Sequence, residues 1–273
     1  MKNYNVTGGG DVQIHVAEAG NPEGQPLLFI HGVSQCRLAW KRQFESDLTG
    51  DYRLVAMDLR GHGLSEKPIE GYGDSKLWAD DVNAVIEGLD LTRPVIAGWS
   101  YGPLVIFDYI RHYGEENIGG INIVGGITKL GTEEAASVLT PEFLALVPGF
   151  FSTDVDEAKC ALESLLKICF AKELSEDDLS FMRDYNVAVP AYVRKGMFTR
   201  SFDNDDLLPK ISKPVLITHG TLDSVVLPAV VDQHSFGMPH AEVHMIEDAG
   251  HAPFWEDPST YNHRLRAFAS SLL

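Results

Sequence analysis

The chain has 273 residues, 44% hydrophobic and 22% charged, with 22 Lys and Arg against 39 Asp and Glu. That much apolar material builds the core of one or two domains and excludes a disordered chain. A net charge of −17 excludes a phosphate-gripping nucleic-acid surface and argues against docking on an anionic membrane.

Residues 4–7 and 12–18 read as two strands joined through Gly8, Gly9, Gly10 and Asp11, a hairpin-type connection. Residues 27–31 are a short continuous apolar run, the mark of a strand buried on both faces. Residues 53–58 and 94–98 repeat that character. Between them Leu77, Val82, Val85, Ile86 and Leu89 recur at helical spacing, which predicts a helix over 75–89. A second helix is predicted over 104–113 and a fourth buried strand over 121–124. Such alternation predicts an α/β fold, a parallel sheet covered by helices.

The alternation stops after Gly126. Residues 127–208 carry no buried-strand signal, and helices are expected near 133–139, 141–147, 155–171, 175–185 and 190–198. Strands resume at 214–218 and 242–246, and a helix over 261–272 closes the chain. The expected organisation is a core domain of residues 1–126 and 209–273, interrupted by a helical cap over 127–208.

The opening MKNYNVTGGG lacks the apolar core of an export signal, and the apolar run at 143–151 is too short to span a bilayer. Cys160 and Cys169 fall on opposite faces of one predicted helix and cannot pair; Cys36 lies in a loop. A reducing compartment, the cytoplasm, is therefore expected. His240 and His244 are spaced like a ligand pair but lack an HExxH context, so no metal is expected.

The chemistry centres on Gly98-Trp99-Ser100-Tyr101-Gly102, which lies between a predicted strand and a predicted helix. A sharp turn there strains the serine and exposes its hydroxyl, and the flanking glycines remove side chains that would clash. A serine hydroxyl needs a base and a group to orient that base. Asp223 follows the strand at 214–218, and His251 follows the last strand. The order Ser, Asp, His suits this architecture, and both partners sit beyond strand C-termini, where parallel sheets place their sites. Ser100, Asp223 and His251 are thus the expected catalytic residues. Asp248 competes for the acid role, but its place before His251 suits a turn former. The expected oxyanion donors are the backbone N–H groups of Tyr101, directly after the nucleophile, and Val33, in the loop after residues 27–31.

HGV at 31–33, DLRGHGLS at 58–65, GWSYG at 98–102, HGTLDSVV at 219–226 and AGHAPFWEDP at 249–258 together resemble the α/β-hydrolase superfamily. Within it the chain resembles the small capped branch of serine esterases and cofactor-free haloperoxidases or perhydrolases. The resemblance covers essentially the whole chain. It implies an eight-stranded, mostly parallel sheet with a helical cap between the sixth and seventh strands. It also implies the same triad, and a structural role for the turn from Asp58 to Gly63. Pro103 departs from the small residue that many members carry after the elbow glycine; a first helical turn accepts proline. A serine nucleophile separates the chain from the aspartate-dependent dehalogenases and epoxide hydrolases.

Trp99, Leu227 and Phe254 flank the triad in sequence, and Phe143 and Val147 belong to the apolar run of the cap; these five are the expected substrate pocket. An apolar pocket suits a small to medium hydrophobic carboxylic ester, cleaved through an acyl-enzyme, with perhydrolysis as a side activity. The same triad also serves C–C bond hydrolases and lyases, and some relatives are slow-turnover ligand receptors. No cofactor, nucleic acid or membrane partner is expected.

Overall fold

The computed structural model describes residues 1–272. Among them ten strands form: β1 (Lys2–Thr7), β2 (Gln13–Gly20), β3 (Pro26–Ile30), β4 (Arg53–Met57), β5 (Val95–Trp99), β6 (Gly120–Val124), β7 (Lys129–Leu130), β8 (Phe202–Asp203), β9 (Val215–Gly220) and β10 (Glu242–Ile246). Eight of them build one sheet in the order β1-β2-β4-β3-β5-β6-β9-β10. β1 and β2 run antiparallel, as do β2 and β4; every later neighbour pair is parallel. Every residue of β3, β5, β6 and β9 is buried. Their mostly apolar sequences reflect helices on both faces.

β3 lies between β4 and β5. The chain leaves β3 toward one side for β4, then crosses to the other side for β5. This reversal opens a crevice beyond the C-terminal ends of β3 and β5, the place where doubly wound sheets take up ligands. The loop holding Val33 and the turn holding Ser100 both start there.

Helix Ser75–Gly88 is capped by the Asp74 side chain, which accepts from the Lys76 N–H, and it buries Trp78, Ala79, Val82, Val85 and Ile86. It packs against helix Gly102–Tyr113, which begins directly after the Ser100 turn and has Pro103 in its first turn. Beyond β6 the chain leaves the sheet for helices Glu133–Ser137, Pro141–Phe150, Val155–Cys169, Glu176–Val187 and Ala191–Phe198. Four of these five carry a side-chain N-cap, from Thr132, Thr140, Asp154 and Ser175.

Three features depart from the expectations. The segment 127–208 contains the two-residue ribbon β7–β8, too short to leave a periodic signal. Helix Val230–Gly237 lies in a stretch for which no element was predicted, and its apolar residues are too few to mark a face. The last helix, Pro258–Ser270, starts three residues early because Asp257 caps it and proline suits its first turn. No described helix is long and apolar enough to cross a membrane.

Candidate active site

Ser100 has φ +59°, a left-handed conformation that non-glycine residues rarely adopt. Its neighbours hold it there. The Ser100 N–H donates to the Val124 carbonyl at 3.0 Å, and its own carbonyl accepts from Ile127 N–H at 3.3 Å. The flanking glycines leave no room for side chains. A Cβ on Gly98 would lie 2.8 Å from the Gly102 backbone, and one on Gly102 would lie 2.7 Å from the Ile30 carbonyl. Across the crevice, a Cβ on Gly32 would lie 2.8 Å from the Ser100 Cβ. The loop after β3 thus touches the serine directly.

Asp223 and His251 meet beyond the ends of β9 and β10. His251 Nδ1 donates to Asp223 Oδ2 at 2.8 Å, and both residues are buried. Asp223 Oδ1 accepts from the N–H groups of Val225 and Val226 at 2.8 and 2.9 Å. His219 Nε2 stands 3.1 Å from the same Oδ2 that His251 uses. Burial alone would raise the Asp223 carboxyl. The charge of His251 and the hydrogen bonds from His219 and His251 outweigh burial and hold it well below the usual carboxylate range. Asp248, the competing acid, is exposed with φ +56° and sits in the turn before His251, the role its loop position suggests.

The loop after β3 is braced by His31. Its Nδ1 donates to the Gly32 carbonyl at 2.8 Å and its Nε2 accepts from Leu59 N–H at 3.0 Å. Burial pulls this ring down to about 4, which keeps it in the uncharged form that both bonds require. Among the described residues, no hydrogen bond uses the N–H of Val33 or of Tyr101. Two backbone donors beside Ser100 are therefore free.

These groups line one small cavity of about 240 Å³, counting its open mouth. Val33, Gln35, Trp99, Ser100, Val225 and His251 contribute from the sheet side; Phe143, Leu165 and Cys169 contribute from the helices after β6. A larger open depression beside residues 6–11 and helix Ser75–Gly88 holds none of these groups. Of the five expected pocket residues, Trp99 and Phe143 are on this wall. Phe254 stands behind Trp99, 5.0 Å away edge-on and stacked on Trp40 at 4.2 Å. Leu227 is 37% exposed and bonds through its N–H to the Val138 carbonyl. Val147 packs partly buried against the core cluster without reaching the wall. Closeness in sequence to the triad thus put Trp99 on the cavity wall but neither Leu227 nor Phe254. No group of three His, Cys, Asp or Glu among the described residues is arranged to hold a metal ion.

The sequence model of the alpha/beta hydrolase family matches residues 27–264. The chain belongs to the alpha/beta hydrolase family. It is similar to the esterase RhEst1 from Rhodococcus sp. ECU1013, with 34% identity, all of both chains covered and a TM-score of 0.94. It is also similar to a putative aryl esterase from Burkholderia cenocepacia, with 30% identity, 99% of both chains covered and a TM-score of 0.90. A non-heme chloroperoxidase from Streptomyces lividans is 27% identical over 97% of this chain and 99% of its own. The protein is thus a hydrolase-fold enzyme of the esterase and haloperoxidase-like branch.

Several residues of this α/β-hydrolase escaped the sequence reading because contacts across the fold define them. His251 N–H donates to the Cys169 carbonyl at 2.8 Å, so the last turn of helix Val155–Cys169 holds the histidine loop. Glu256 ties the same two pieces together. Its Oε1 accepts from Gly250 N–H at 2.7 Å, and its Oε2 accepts from Ala171 N–H at 2.8 Å and Lys172 N–H at 3.3 Å. Trp99 Nε1 donates to the His251 carbonyl at 2.8 Å. Gln35, on the cavity wall, and Asn186 exchange amide hydrogen bonds at 3.2 and 3.4 Å, both side chains buried. Arg200 Nη2 donates to both carboxylate oxygens of Asp108, at 2.9 and 2.7 Å, and Nη1 reaches the Tyr101 hydroxyl at 3.2 Å.

Proposed function

We propose that this α/β-hydrolase is a serine hydrolase that cleaves a small to medium hydrophobic carboxylic ester through an acyl-enzyme. The observation that carries the reading is the left-handed Ser100, pressed against Gly32, on the same cavity wall as a histidine bonded to a buried carboxylate. Ser100 Oγ attacks the ester carbonyl carbon while His251 Nε2 takes the hydroxyl proton. Asp223 fixes the ring through Nδ1–H and stabilises the imidazolium that forms. The tetrahedral oxyanion is met by the free N–H groups of Val33 and Tyr101. Collapse expels the alcohol with the proton from His251 and leaves the acyl group on Ser100. A water molecule then gives a proton to His251 and attacks the acyl carbon; collapse releases the acid, and His251 returns that proton to Ser100 Oγ.

Residues 127–208 act in this reading as a cap on a core of residues 1–126 and 209–273. They contribute Phe143, Leu165 and Cys169 to an otherwise core-built cavity. The tight, mostly apolar wall favours a short uncharged acyl group. Replacement of water by hydrogen peroxide in the second step is the route to perhydrolysis as a side activity. The esterases among its relatives support the ester reading.

The test combines fluorophosphonate labelling with turnover of short-chain p-nitrophenyl esters. Labelling at Ser100 is expected, and Ser100→Ala should lower kcat by about 10⁴-fold or more. A Ser100→Ala enzyme with wild-type turnover overturns the proposal.

A further inference from the structure

The carboxylate that orients His251 has a second imidazole on it. His219 and His251 converge on one oxygen, Asp223 Oδ2, at 3.1 and 2.8 Å. His219 is buried at the end of β9, four residues before Asp223. Its Nε2 also lies 3.0 Å from the Val226 carbonyl. Both neighbours are acceptors, so Nε2 must carry the hydrogen. With Val225 and Val226 on Oδ1, Asp223 then receives four N–H donors and has no lone pair left to turn toward another group.

We propose that His219 is a positioning residue of the triad, locking the Asp223 carboxylate through Oδ2 and sharing the negative charge that faces His251. This rests on the reading of Ser100, His251 and Asp223 as the triad. Physically, an acceptor oxygen shared between two donors binds each less strongly than it would bind one alone. Removing His219 leaves more negative charge on the side of His251 and favours its protonated form. The acid limb of kcat/KM should then move to higher pH.

The other titratable groups around this carboxylate do not take over that role. Cys169, on the last turn of helix Val155–Cys169, has its thiol pushed well up by burial. His234, on helix Val230–Gly237, is held at about 3 by burial and stays uncharged. Glu256, on helix Pro253–Glu256, gives its oxygens to the N–H groups of Gly250, Ala171 and Lys172. Ser100 faces His251 from the elbow and carries no charge.

His219→Phe keeps a buried planar ring and removes the donor; His219→Gln returns an N–H near the Nε2 position. In His219→Phe the acid limb of kcat/KM for a p-nitrophenyl ester should rise by about half a pH unit or more, the scale of one weakened charge-assisted hydrogen bond. In His219→Gln it should return toward the wild-type position. A His219→Phe enzyme that loses rate or stability with an unmoved limb overturns the proposal. A second measurement needs no variant: ¹⁵N-histidine NMR of the wild-type protein should find the hydrogen of His219 on Nε2. A bare Nε2 with the hydrogen on Nδ1 overturns the assignment. Fluorophosphonate labelling separates the two levels. A labelled Ser100 with an unmoved limb removes His219 alone, and an unlabelled Ser100 removes the triad reading beneath it.

Discussion

At the scale of single residues, the site rests on contacts that permit no extra atom. Ser100 occupies a conformation that costs about 1–3 kcal/mol in an ordinary chain, so the surrounding backbone must hold it. Gly32 is the nearest part of that surround. Gly32→Ala places a methyl 2.8 Å from the Ser100 Cβ, and either the serine or the loop carrying Val33 must retreat. A shift near 1 Å at a reacting atom costs about 10²-fold in rate. We therefore expect kcat/KM of Gly32→Ala on a short p-nitrophenyl ester to fall by about that factor, while circular dichroism reports an unchanged fold. Activity within twofold of wild type would show that the loop absorbs the methyl without moving either donor. His31 explains why it should not: with one ring nitrogen on Gly32 and the other on Leu59, the loop has little slack.

At the scale of elements, the helices between β6 and β9 are attached at buried polar joints as well as by apolar packing. Arg200, just after helix Ala191–Phe198, reaches back to Asp108 on helix Gly102–Tyr113. Its guanidinium lies 3.8 Å from the Phe202 ring and 5.4 Å from the Trp78 ring. Burial pushes the Asp108 carboxyl up, and the attraction of Arg200 works against that rise. Losing Arg200 would leave that acid buried with no partner. Arg200→Ala should lower the unfolding free energy by about 3–5 kcal/mol in urea titration. Arg200→Met combined with Asp108→Leu should cost less than Arg200→Ala alone, because the uncompensated charge is then absent. A double variant less stable than the single would mean that the geometry of the pair, rather than its charge balance, holds the joint.

At the scale of the whole molecule, the charge has no single seat. Residues 127–208 hold 8 Lys and Arg against 15 Asp and Glu, a balance of −7, and the rest of the chain holds the other −10. A net charge of that sign works against anionic ligands and is screened within about 10 Å at 0.1 M salt. The KM for an ester with a negatively charged acyl or alcohol group should fall as salt rises from about 10 to about 150 mM, while the KM for a neutral ester of similar size stays level. Equal responses from the two esters would place the effect elsewhere than in the net charge.

Local sequence was enough to lay out the alternation of strands and helices with its break after Gly126, and to single out Ser100, Asp223 and His251 as the candidate triad. These are legible because local chemistry carries them: apolar runs for buried strands, glycines around a strained serine, and loop positions beyond strand ends. Buried strands at β3, β5, β6 and β9 differ from the expected ranges by a residue or two at their ends. Which side chains face the cavity was settled by the packing of distant segments. Phe254, three residues from His251, lies behind Trp99, while Gln35, Leu165 and Cys169 come to the wall from parts of the chain distant from all three triad residues. That packing likewise placed His219 on the carboxylate of Asp223 and Glu256 between two loops. A strand or an elbow is written in neighbouring residues. A cavity wall and a second-partner hydrogen bond depend on where separate segments meet, and that is fixed by the packing of the sheet and its helices.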